Sequence, residues 1–176
     1  MGKPYNKKFN NKIPLKGTHF QEILNFYLFE CPVDGTSKRA KTFKEQGWKG
    51  SGHFSTLKSQ MLKNCTESLR KNYYPCKRDE LETNFDKVKS VSPVDEYCVF
   101  LRYEENTVMQ SLFSAIRNAF AHGSFSVRCY NKVNVYFLSN FHNGYLKAEI
   151  ILQEQTLLNW IKIFKSNPNS FKQNTK

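Results

Sequence analysis

The strongest constraint on this chain is a change of hydrophobic period at Gly123. Over residues 106–122, Met109, Leu112, Phe113, Ile116 and Phe120 recur every three or four positions, the spacing of an amphipathic helix. Gly123 suits the left-handed residue that ends such a helix. Immediately afterwards the period falls to two. Phe125, Val127 and Cys129 alternate with polar residues, as do Val133, Val135 and Phe137. Asn143-Gly144 supplies a hairpin turn, and Leu146, Ala148 and Ile150 alternate beyond it. This pattern predicts a three-stranded antiparallel sheet. Leu157, Leu158, Ile161 and Phe164 then return to the helical period and stop at Asn167-Pro168.

The rest of the chain reads mainly as helix. Thr18 with Gln21 resembles a capping box ahead of Phe20, Ile23, Leu24, Tyr27 and Leu28. Leu57, Met61, Cys65 and Leu69 predict one helix that ends before Pro75. Asp79 with Glu82 opens a shorter helix carrying Leu81, Phe85 and Val88. Ser92-Pro93 suits a helix start, yet "YCVFLRY" (Tyr97 to Tyr103) is equally strand-like, so the type of segment 94–103 stays open. The expected fold class is mainly α: a helical bundle with a small three-stranded antiparallel β-sheet before the C-terminal helix. One domain spans 18–166, with a basic loop at 31–53 and a β-insert at 124–151. A basic flexible tail (1–17) and a polar tail (167–176) flank it.

Charge directs attention to polyanions. Lys and Arg number 27 against 15 Asp and Glu, a formal net charge of +12. Lys38, Arg39, Lys41 and Lys44 surround Phe43 and Trp48 in the basic loop. Cations interleaved with aromatics can hold single-stranded RNA by charge and stacking, and they also suit a solvated loop pinned by its rings. The five cysteines include no C-x-x-C pair and no metal-binding spacing, so free thiols and no metal or cofactor are expected. "MGKPYNKKFNNK" has no apolar core and is not expected to act as a secretory signal. No run of about 18 apolar residues occurs. A cytoplasmic protein without a membrane partner is expected.

The helix before Gly123 carries the most unusual chemistry. Between Asn106 and Arg128 the charged side chain is Arg117, followed five positions later by His122. On a helical wheel these two diverge by about 140°. Gln110, Ser111, Ser114, Asn118 and Ala121 lie between them. An ordinary solvent face carries Lys and Glu; this strip of small uncharged residues invites a close neighbour. Two copies packed strip to strip about a two-fold axis would bring two arginines and two histidines around one cleft. Such a cleft suits a phosphodiester. Arg128 falls on the polar side of the first strand, as a further RNA contact or as part of a solvated face.

"RNAFAH" (Arg117 to His122) resembles the R-N-x-x-x-H form of the R-x(4–6)-H motif of the HEPN superfamily, the higher-eukaryote and prokaryote nucleotide-binding domains. The motif stands late in its helix, and "HGSFSVRCY", strands and "TLLNWIKIF" follow, as in HEPN proteins with a β-insert before the last helix. The similarity covers about 60 residues, from Glu105 to Phe164. It implies a helical bundle and a metal-independent endoribonuclease, with its site shared by a homodimer. It also implies a toxin or antiphage-defence role and an inhibitory antitoxin or defence-complex partner. Carried over by position, Arg117 and His122 are the catalytic pair, and Asn118 is the polar residue after Arg. Products would end in 2′,3′-cyclic phosphate. One HEPN subgroup has Tyr two residues after the His; Ser124 stands there in this chain. The alternative is a non-catalytic HEPN-like module that binds RNA or a nucleotide, or that serves in assembly.

Overall fold

A computed structural model describes residues 17–33 and 40–174. Among them run six α-helices and a five-stranded mixed sheet, an α/β fold. The expectation of a mainly α protein with a three-stranded antiparallel sheet is overturned by two further strands. The predicted trio is present: β3 (Phe125–Tyr130), β4 (Val133–His142) and β5 (Tyr145–Gln153) pair antiparallel. β2 (Tyr97–Leu101) adds antiparallel to β5, and β1 (Tyr73–Cys76) adds parallel to β2, giving the order β1-β2-β5-β4-β3.

The physical reasons are local. Every residue of β2 is buried, because both faces of this inner strand are covered, so no alternation marks it. β1 contains Pro75 and is four residues long. Proline lacks an N–H for the ladder, and β1 tolerates it by lying at the sheet edge. The hairpin turns behave as two-residue turns with positive φ: Asn143 and Gly144 (φ 50° and 76°), and also Asn131 and Lys132 (φ 48° and 69°).

One face of the sheet is packed by four helices. These are α1 (Thr18–Asn25), which continues as a wider π turn over Phe26–Glu30, then α2 (Ser51–Lys63), α5 (Val108–Ala121) and α6 (Glu154–Lys165). Gly17, not Thr18, occupies the cap of α1. The single helix expected through Leu69 breaks at Asn64. α3 (Glu67–Lys71) then restarts under Thr66, whose Oγ1 accepts the Leu69 N–H at 3.2 Å. The core of this face includes Tyr27, Trp48, Leu57, Phe113, Ile116, Tyr136, Trp160 and Phe164. Trp48 Nε1–H donates to the Phe164 carbonyl at 2.7 Å and Trp160 Nε1–H to the Met61 carbonyl at 3.0 Å, so each buried indole is satisfied.

The other face carries one helix, α4 (Leu81–Val88), over β1 and β2. Fully buried Glu96, just before β2, ties the layers together. Its carboxylate accepts the Thr66 hydroxyl (2.6 Å) and the Gln153 N–H at the start of α6 (2.7 Å). Residues 168–174 form a further turn of 3₁₀ helix, and Phe171 stacks on Trp48 at 6.1 Å. The predicted polar tail therefore contributes a ring to the core.

Candidate active site

The helix bearing Arg117 and His122 is firmly specified at both ends. Thr107 Oγ1 accepts the Gln110 N–H at 3.2 Å, and Gln110 Oε1 accepts the Thr107 N–H at 2.8 Å. This reciprocal box fixes where α5 starts. At the other end Ser124 N–H reaches the Ala119 carbonyl (2.9 Å) and Gly123 N–H the Phe120 carbonyl (3.1 Å). Those two bonds form a Schellman motif, made possible by Gly123 at φ 64°. His122 is the C-cap residue and lies exposed.

The core face of α5 buries Met109, Leu112, Phe113, Ile116, Ala119 and Phe120 against the sheet and the neighbouring helices. The uncharged strip is narrower than its sequence implies. Ser111 is buried, with its Oγ accepting the Tyr103 N–H at 3.3 Å. A serine is small enough to lie against the chain leading out of β2, so its polarity says little about exposure. Gln110, Ser114, Arg117 and Asn118 are half-buried and Ala121 is exposed. The π turn after α1 packs on α5, so part of the room left by small residues is used within this chain.

Arg117 Nη1 donates to Asn118 Oδ1 at 3.0 Å. Asn118 thus steadies the guanidinium. Arg117 also lies near Cys31, whose Sγ approaches the Phe113 carbonyl at 4.0 Å. Burial pushes that thiol well up, while the arginine charge pulls it the other way. The imidazole of His122 has no side-chain hydrogen bond or ion pair among the described residues, unlike His19, which meets Glu154 at 3.2 Å. Within one copy of the chain, Arg117 is held against Asn118 and His122 stands at the helix end.

The remaining sequence candidates divide. Lys41 and Lys44 are exposed on the loop whose Phe43 packs on Phe113 of α5. Phe43 and Trp48 are buried, which removes them as stacking platforms for bases. Lys38 and Arg39 lie outside the described residues. Arg128 is exposed, with its guanidinium 5.1 Å from the Phe137 ring centroid. It belongs to the face of the sheet turned away from α5, because Phe125 and Val127 take the α5 side. The fold does not bring Arg128 to Arg117 or His122.

No family model, curated protein or solved structure matches this chain. The five cysteines are free thiols. Among the described residues no group of His, Cys, Asp or Glu is arranged to hold a metal ion. Nor is any helix among them long and apolar enough to cross a membrane.

Proposed function

We propose that this protein is an endoribonuclease whose site is completed by a second copy of the chain. The carrying observation is the end of α5: a guanidinium held by Asn118, with an exposed imidazole, unpartnered among the described residues, one and a half turns later. In the proposed reaction one His122 takes the 2′-OH proton and O2′ attacks phosphorus. The bond from phosphorus to O5′ then breaks, and the partner's copy of the imidazole gives a proton to the departing O5′. A 2′,3′-cyclic phosphate and a 5′-hydroxyl result. Imidazole suits both proton transfers near neutral pH. Arg117 lies against the phosphorane oxygens, where a permanently charged fork offers two parallel hydrogen bonds. The R-N-x-x-x-H resemblance and the net charge of +12 support the same reading. Exposed Lys41 and Lys44 offer contacts to the RNA backbone beside this helix.

The test incubates RNA with the purified chain in EDTA. Wild type is expected to cleave, and Arg117→Ala and His122→Ala to lose about 100-fold or more in rate while remaining folded. Mixing His122→Ala with wild type should suppress the wild-type activity, because a mixed dimer keeps one of the two imidazoles that the reaction uses. Intact RNA with wild type, cleavage that survives both substitutions, or a strictly monomeric active protein would each overturn the proposal.

A further inference from the structure

The second face of the sheet holds a cavity that the α5 chemistry does not use. It measures about 1050 Å³ and lies beside α4, over β3, β4 and β5. That volume is in the range that takes a small organic ligand. Its floor is one cross-strand row, Ser126, Phe137, Ile151 and Tyr97, paired neighbour to neighbour over four strands. The next row presents Ser139 and Glu149, also paired.

Three observations define what would bind. First, the floor offers a ring: Phe137 is half-exposed, with Arg128 stacked at 5.1 Å. At the mouth, Lys147 Nζ lies 5.6 Å from the ring centre of Tyr145, which is 63% exposed. Second, the charges are unequally engaged. Glu149 accepts the Tyr97 hydroxyl at 2.5 Å, and Asp86 holds Lys89 at 2.5 Å. Arg128 and Lys147 rest on aromatic faces and make no ion pair among the described residues. Third, Ser126 is 3% exposed, and its hydroxyl has no hydrogen-bond partner among the described residues. Leaving such a group unsatisfied costs about 1–3 kcal/mol, and a buried orphan on a cavity floor calls for an occupant.

We propose that this cavity binds a nucleoside monophosphate. The base lies against Phe137, Ser126 supplies a hydrogen bond from the floor beside it, and the phosphate meets Arg128, two residues from Ser126 on the same strand face. The site is separated from α5 by the sheet, and the proposal does not depend on the nuclease reading.

Calorimetric titration of the full chain with AMP, UMP and inorganic phosphate tests it. At least one nucleotide is expected to bind saturably and at least about tenfold more tightly than phosphate, since base stacking adds to the ionic contact. Ser126→Ala should weaken it roughly fivefold while leaving the unfolding midpoint unchanged or raised, because the variant removes an unsatisfied hydroxyl. A merely structural serine would not separate those two readouts. Arg128→Ala should weaken binding about tenfold or more. Nucleotides that bind no better than phosphate, or binding that survives both cavity variants, would overturn the proposal.

Discussion

Tyr136 and Phe137 are neighbours on β4, yet they face different molecules. Tyr136 points to the face covered by four helices and is fully buried, with its hydroxyl on Glu154 at 3.1 Å. Phe137 points to the face where α4 covers two strands and stops, and it lines a cavity. The covered face is filled with interlocked rings, such as Phe113 against Phe43, Phe26 and Phe164. The other carries an exposed arginine and open volume. One face is built for stability, and the other has surface to spare for binding.

The comparison breaks most visibly if the neighbours behave alike on truncation. Tyr136→Ala should cost about 3–5 kcal/mol in urea unfolding, since it leaves a cavity in a close-packed layer. It also removes a hydrogen bond from Glu154, which keeps His19 and Asn134. Phe137→Ala should cost no more than about 1–2 kcal/mol, because space already adjoins its ring. Equal losses would mean that the second face is packed as tightly as the first.

Glu96 tests the join between the layers. Its carboxylate serves the α3 cap and the first residue before α6 together. Glu96→Ala should cost about 2–4 kcal/mol and leave the Gln153 N–H without its acceptor. A change below about 1 kcal/mol in the same unfolding assay would show that the two helix starts hold without it.

These contrasts also explain what the sequence made readable. α5 was legible to within two residues because two signals agree: apolar spacing and Gly123. The β3–β5 trio was legible through its alternation. β2 was not, since burial on both faces erases alternation, and β1 hid behind Pro75. Without those strands the sheet looked too narrow to own a second face. Arg128 therefore read as an RNA contact or as part of a solvated face, and the cavity left no trace. At α5 the residue types were visible, but their partners were not. That Asn118 engages Arg117 and that Ser111 is buried depend on rotamers and on the path of the chain after β2.

The finest probe of the two faces is thiol exchange in the native state. Cys98 lies under the four-helix layer and Cys76 under α4, and both are buried. Burial raises both thiols, Cys98 well above its usual range. Asn84 Nδ2–H, 3.3 Å from the Cys76 sulfur, moderates the rise there. Cys129 is exposed and should react first with an aromatic disulfide reagent. Cys65, half-buried and pushed up to about 11, should follow more slowly. Between the buried pair, Cys76 should react about tenfold faster than Cys98, because lifting one eight-residue helix is a smaller opening than parting four. Raising pH toward the thiol range should speed every site, since the thiolate is the nucleophile, and more so for the raised thiols over their own higher window. Peptide mapping after timed quenching measures the order. Cys98 reacting as fast as Cys76 would mean that both covers open together as one cooperative unit, and the distinction between the faces would then be one of shape without a difference in local stability.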